Sequence, residues 1–411
     1  MLASLAECPE SSSGPNVSYL SITTDRELVD FCREISRADR IGFDTEFVSE
    51  DTYRPQLCLV QVAAAGKLAV IDPLSARDLR PFWELLVDPS RETIVHAGRE
   101  ELLFCLAAVG SAPARLFDLQ LAAGLVGYEY PAGYGSLMSK LLGVRPQKGE
   151  TRTDWRRRPL SPQQLDYALD DVRYLEPMRD KLYERLDKLN RLSWLESEIA
   201  DWQASVLATR SGERWWKTSG ISGLSSRSLA IVREVWRWRE SESERRDMPP
   251  RRILRDDLIV ELAKRRVADP KQIRNVRGME RGDLQRALPQ LVAAVERALA
   301  LRDDECPRPT QRESSAQLTV LGQFLSSALG SICRAAEIAP SIVGTASDVR
   351  DLVAYRLKLP GTPTEPPVLA QSWRAEVVGR LIDDLLAGKM AIRISDPLAE
   401  EPLAFERLDK A

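Results

Sequence analysis

Asp44 and Glu46 stand two apart inside "RIGFDTEFV" (40–48), an otherwise apolar run that reads as a β-strand. Residues two apart on a strand share a face, so the two carboxylates stand side by side. Two readings of the pair follow: the acids cap a helix or pair with an arginine at the strand edge, or a divalent cation neutralises them and makes the pair a binding site. A catalytic cation site needs more acids, and two other segments offer them. "LSPQQLDYALDDVRYL" (160–175) opens with Ser161 as N-cap, Pro162 at the first helical position and Gln164 to complete a capping box, which predicts a helix. Tyr167 and Asp171 lie four apart on one face of it, Asp166 and Asp170 on a neighbouring one. "IVHAGREELLFCL" (94–106) passes from strand to helix, with His96, Glu100 and Glu101 at the start of the helical part. Taken separately, the acids of either helix are also what a solvated face or a first turn carries.

Composition narrows the chemistry. His96 is the only histidine in 411 residues, so a multi-histidine metal site or a Ser-His-Asp triad cannot be assembled without help from elsewhere. Cys8, Cys32, Cys58, Cys105, Cys306 and Cys333 are scattered without a C-x-x-C pair, which predicts reduced thiols rather than zinc or disulfides. A formal charge of −3 argues against a uniformly basic nucleic-acid coat. No run approaches the ~18 apolar residues of a membrane span and no secretory leader is recognisable, so a soluble cytoplasmic protein with no membrane partner is expected.

The elements that must position these residues follow from the periodicity. Residues 1–17, rich in Ser, Pro and Gly, read as a disordered tail. Strand-like runs at 41–48, 57–63, 67–72 and 93–97 mix with helical ones at 99–109 and 162–189, an α/β pattern expected to fill 18–205. Helices alone follow over 212–301, then a polar linker at 302–315, a second mostly helical stretch at 316–395 and an acidic tail at 396–411. Arginines and lysines crowd 251–281, where a phosphate-binding surface competes with a plain solvated face. Trp236 and Trp238 read as core rather than as stacking platforms.

In order and spacing the three acidic segments resemble the DEDD superfamily of 3′–5′ exonucleases, and within it the ribonuclease D family. Asp44-Thr45-Glu46 matches the first motif, His96 to Leu103 followed by "FDLQLAAGLVG" (117–127) the second, and Tyr167 with Asp171 the third. "KGETRTDWRRRPLS" (148–161) is similar to the family's connector, and "VWRWRESESERRDMPPRRILRDDLIVELAKRR" (235–266) to the HRDC module. The resemblance implies an RNase H-like (DnaQ-like) α/β exonuclease domain with a mixed sheet, followed by two small all-α HRDC-type domains, the second divergent. It implies two divalent ions, Mg2+ or Mn2+, held by Asp44, Glu46, Glu101 and Asp171. Glu101 stands where the family has aspartate, with one methylene more. Asp44, Glu46, Asp171 and Tyr167 become catalytic, the tyrosine as an orienter of the attacking water rather than a base, and His96, Arg152, Arg156, Arg157 and Arg158 bind substrate. Nucleoside 5′-monophosphates released from tRNA precursors or other structured RNAs with 3′ tails are the implied products, made by a monomer. A DNA 3′–5′ exonuclease, or a catalytically weak RNA-binding scaffold supported only by Glu101, stands as the alternative. A chain ending near residue 205 is expected to keep the chemistry.

Overall fold

The computed structural model describes residues 5–6, 18–145, 153–309, 316–360, 362–399 and 402–408. Its first part is a seven-stranded mixed sheet in the order β1-β2-β5-β4-β3-β6-β7, built from β1 (Leu5–Ala6), β2 (Tyr19–Ile22), β3 (Arg40–Val48), β4 (Gln56–Ala64), β5 (Lys67–Ile71), β6 (Glu92–Val95) and β7 (Leu116–Asp118). β3 and β4 run antiparallel, as do β4 and β5, whereas β3, β6 and β7 are parallel. Helices α1 (Asp25–Ile35), α2 (Arg80–Leu86) and α3 (Arg99–Val109) cover one face. There Phe43 points down from β3 onto Phe82 and Trp83, edge to face at 5.7 and 5.9 Å. The other side carries α4 (Leu119–Leu125), α5 (Tyr134–Leu142), α6 (Pro162–Arg173), α7 (Leu175–Lys188) and α8 (Leu192–Ser211). The mixed α/β sheet is therefore as expected. The helical run read as 162–189 is two helices, because Tyr174 leaves helical geometry between them.

A helical unit follows: α9 (Ser226–Arg246), α10 (Pro250–Ile253), α11 (Asp256–Arg265), α12 (Pro270–Arg274), α13 (Gly282–Arg286) and α14 (Leu288–Ala300). Its core is its own, with Ile231, Val232 and Val235 meeting Ile259, Leu262, Leu291 and Val295. The last unit, α15 (Ala316–Ala335), α16 (Pro340–Val343), α17 (Ala346–Arg356), α18 (Ser372–Arg374) and α19 (Arg380–Leu386), has no separate core. Its Leu329, Ile332 and Ile342 join Leu125, Leu195 and Ile199 of the catalytic half in one apolar cluster. The boundary expected at 205 falls inside α8, whose Val206 packs on Leu102 and Leu106 of α3, whereas the C-terminal unit meets the helix earlier, at Trp194 and Glu198. That unit is also not purely helical, since β8 (Met390–Ile394) pairs with β9 (Leu403–Arg407) where a tail was expected. Of the expected N-terminal tail, only Leu5–Ala6 lies among the described residues, as a strand against β2.

Candidate active site

β3 holds Asp44 and Glu46 on one face, opposite Gln61 and Leu59 of β4, and the register slips just after Glu46. A strand presents alternate residues to one side, so Thr45 between them is turned to the other and is buried. Its hydroxyl donates to Glu101 Oε1 at 2.5 Å, and its backbone N–H steadies the Asp44 carboxylate. One threonine thus touches two of the acids.

Glu101 reaches this position through the turn that starts α3. Asp118, itself buried, caps α4 by accepting from Gln120 N at 2.8 Å and Leu121 N at 3.2 Å. It also takes Gly98 N at 2.9 Å and Ala97 N at 3.3 Å, which ties β7 to the β6–α3 turn. Ala97 has φ 56°, and a Cβ on Gly98 would collide with Val95, so this tight entry needs the small residues of "HAG". Glu101 then lies buried on the inner face of α3, whereas Glu100, a residue earlier, is ion-paired with Arg99 at 2.6 Å.

The third element is α6, which begins as expected: Ser161 accepts from Gln164 N at 3.2 Å and Gln164 Oε1 accepts from Ser161 N at 2.8 Å. Asp171 and Tyr167 face β3, and the tyrosine hydroxyl bonds the Asp171 carboxylate. Asp170, on the neighbouring face, pairs instead with Arg173 at 2.8 Å. Tyr134 of α5 donates to the Asp170 carbonyl at 2.8 Å and holds this turn of helix.

Electrostatics describe the cluster in one direction. Burial, followed by the charges of Glu101, Asp171 and Glu46, raises the Asp44 carboxyl well above its usual range. Burial and then Asp171 and Glu101 push Glu46 up to about 8. Glu101 and Asp171 rise to about 7, each mainly by burial and each partly held down by its hydroxyl partner, Thr45 or Tyr167. Burial and then the same carboxylates drive the Tyr167 phenol well above its usual value, so it keeps its proton.

The remaining expected site residues are placed differently. His96 lies edge to face with Tyr134 at 5.5 Å, and burial lowers its imidazole pKa against the pull of Asp118. Arg158 is fully engaged by the protein: it donates to Asp72 from Nε at 2.6 Å and from Nη2 at 2.8 Å, and to the Cys58 carbonyl at 2.7 Å. Arg156 is held by Asp154 at 2.8 Å, and Arg157 is the exposed member of the three, its side chain 84% accessible. Arg152 lies outside the described residues. Sequence reasoning missed Thr45, Asp118 and Gln61. Asp118 was readable as an N-cap before "LQLAAGL". Gln61 was readable as a polar residue in an apolar strand, the signal that exposed Asp44.

Among the described residues, Asp44, Glu46, Glu101 and Asp171 are acted on by one another and by further acids, with no basic group among the charges shifting them. Among the described residues, Gln61, fully buried across from Asp44, has no hydrogen-bond partner for either amide atom, and His96 Nδ1 has none. An all-oxygen anionic donor set beside orphaned polar atoms fits hard divalent cations such as Mg2+ or Mn2+. Among the described residues no three His, Cys, Asp or Glu side chains already stand in coordination geometry.

Comparison with known proteins agrees in extent and order. Residues 19–187 match the family model described as 3′-5′ exonuclease, and 228–295 the one described as HRDC domain. Ribonuclease D of Gluconacetobacter diazotrophicus is 33% identical over 376 residues, covering 91% of this chain and 94% of that protein. Ribonuclease D of Granulibacter bethesdensis is 34% identical over 87% of this chain and 90% of its own length. Among solved structures, Escherichia coli RNase D, described as an exoribonuclease involved in structured RNA processing, superposes with a TM-score of 0.78 at 27% identity, covering 90% of this chain and 99% of that one.

Proposed function

The chain belongs to the ribonuclease D family of 3′–5′ exoribonucleases, and we propose that it trims single-stranded 3′ tails from structured RNAs, tRNA precursors first, with Asp44, Glu46, Glu101, Asp171 and Tyr167 as its working site. The observation that supports the assignment of residues is that β3, α3 and α6 bring four buried carboxylates close enough for three of them to raise Asp44, each made harder to ionise by burial and by nearby acids. A single chain holds all of them, so no second copy is needed to complete the site. RNA precursors of this kind place the work in the cytoplasm.

Asp44, Glu46, Glu101 and Asp171 are the residues that would hold two divalent ions, Mg2+ or Mn2+. Bound there, such ions supply Lewis-acid activation of water and stabilisation of the charge that develops on the transferring phosphate. The reaction joins a water oxygen to the terminal phosphorus and breaks its bond to the 3′ oxygen of the preceding nucleotide. That oxygen takes a proton and becomes the new 3′ end, and a nucleoside 5′-monophosphate leaves. Tyr167, protonated and anchored on Asp171, orients the water by hydrogen bonding and does not remove its proton. Thr45 and Asp118 hold Glu101 and its turn in place, and His96, Arg156 and Arg157 are the residues assigned to the strand's 3′ end.

The test is cleavage of 5′-labelled single-stranded RNA and DNA of one sequence with Mg2+, Mn2+ or EDTA, using Asp44→Asn as the blank. Stepwise release of nucleoside 5′-monophosphates from RNA, only with a divalent ion and only in the unaltered protein, is expected. Equal turnover in EDTA would remove the metal reading, and equal activity of the variant would remove the site.

A further inference from the structure

We propose that the cavity between α3 and α9 receives an unpaired nucleotide of the RNA strand upstream of the bond being cut, its base lying against Trp236. The inference rests on the exoribonuclease reading above and names a second contact for the same substrate. The cavity measures about 800 Å³ and lies between the catalytic half and the helical unit. Its apolar surface comes from Leu103 and Phe104 of α3, Tyr53 of the loop after β3, and Trp236 of α9. Trp236 and Trp238 are two apart on a helix and so face roughly opposite ways, about 200° around the axis. Trp238 packs on the core of its unit, and Trp236, half-buried, faces the cavity instead.

Charge at the cavity is arranged to leave cations outward. Its acids are engaged: Glu240 accepts from the Tyr53 hydroxyl at 3.3 Å, Asp256 from Arg239 at 2.6 Å and Glu100 from Arg99 at 2.6 Å. Arg251 lines it and is exposed, and Arg54 is held by Glu244 in a pair whose side chains are 70% and 58% accessible. An exposed pair of this kind exchanges readily for a phosphate. An aromatic face with arginines at its rim is the sequence-tolerant means of holding single-stranded nucleic acid.

Position identifies which part of the strand is held. Glu100 lines the cavity and Glu101, one residue on, turns about 100° to the carboxylate cluster, so the two sites occupy adjacent faces of one helical turn. The terminal nucleotide occupies the carboxylate site. Everything else in the strand lies 5′ of it, and the segment passing α3 meets Trp236.

The test uses the full chain and oligoadenylates of two, four, eight and sixteen nucleotides. Binding is followed by anisotropy in EDTA and cleavage by kcat/KM with Mg2+. For Trp236→Leu the ratio of kcat/KM for the sixteen-mer over the dinucleotide is expected to fall about tenfold, and the sixteen-mer Kd in EDTA to rise by a similar factor, as for loss of one base stack. Trp236→Phe is expected to recover most of both, and Arg54→Gln to make the salt dependence of sixteen-mer binding shallower. A loss equal at every length, or no change in either measurement, overturns the proposal. Should the unaltered protein cleave no RNA, the exoribonuclease reading falls, and the EDTA binding series still decides the cavity.

Discussion

Glu101 carries one methylene more than the aspartate expected there from the family resemblance, and its longer side chain is held by Thr45. The 2.5 Å bond from the Thr45 hydroxyl fixes one carboxylate oxygen, while the Glu101 charge weighs on Asp44 more than that of Asp171 or Glu46. Losing a hydrogen bond to a ligating carboxylate typically costs about 10- to 100-fold in metal affinity or activity, so Thr45→Val is expected to weaken Mn2+ binding and turnover by about tenfold, with Thr45→Ser near the unaltered protein. Glu101→Asp draws the carboxylate back out of reach of Thr45. In that background Thr45→Val is expected to add little, and an equal penalty in both backgrounds would refute the link. The same carboxylates set the pH dependence of the metal-free protein. Glu46 titrates at about 8 in place of 4.5, Glu101 at about 7 in place of 4.5 and Asp171 at about 7 in place of 3.8. Because the folded values are raised, the folded chain holds these protons more tightly than the unfolded one. Their contribution to stability is complete below the unfolded values and is lost as pH rises through 7 to 8. Thermal melts in EDTA should therefore show Tm falling from pH 5 to 8, and Glu46→Gln should flatten that fall. A fall of unchanged steepness in Glu46→Gln would mean that Glu46 is not raised.

At the scale of elements, what was legible was what local chemistry writes. The capping box at Ser161 and the passage from strand to helix in "IVHAGREELLFCL" placed the starts of α6 and α3, and alternation on β3 put Asp44 and Glu46 on one face. What was not legible depends on packing between distant segments. Nothing near Arg158 in sequence announces Asp72, whose two oxygens take its guanidinium. Nothing near Trp236 says that its side of α9 faces α3 across a cavity rather than a core. The break at Tyr174 matters to the site, since it lets α6 lie across β3 and β4 while α7 turns beside α4 and α5 in the same layer. α6 contributes through Tyr167 and Asp171 as a pair, four apart and joined by a hydrogen bond. Tyr167→Phe keeps the ring and the fold and removes only the hydroxyl, so kcat is expected to fall by about 100-fold, the lower end for a positioned proton-bearing group. Mn2+ affinity should change less than threefold. An unchanged kcat would take the tyrosine out of the reaction.

Over the whole molecule, the two helical units are attached to the catalytic half by different physics. The unit of α9–α14 is held where Tyr53 N donates to Asp247 at 3.0 Å, Arg54 meets Glu244 at 2.6 Å and Arg252 meets Asp51 at 2.7 Å, all on exposed side chains. Such pairs contribute about 0–1 kcal/mol each and weaken as salt rises. The C-terminal unit is joined through shared core. Trp194 stacks on Trp373 at 5.5 Å, Arg374 pairs with Glu198 at 2.7 Å, and Arg191 donates to the Leu125 and Glu337 carbonyls at 2.7 and 2.8 Å. A chain stopped after residue 309 would expose the apolar sides of α4 and α8 and strip the Arg191 guanidinium of partners it reaches while buried. Uncovering several large side chains costs about 1.5–3 kcal/mol apiece, and at 2–4 °C per kcal/mol for a domain of this size the Tm is expected to drop by about 10 °C or more. Raising salt to 1 M should leave the intact protein's Tm nearly unchanged while hydrogen exchange at residues 50–55 speeds up. If the shortened chain melts where the full chain does and cleaves oligonucleotides as fast, the C-terminal unit is an appendage and the shared core contributes nothing to the catalytic half.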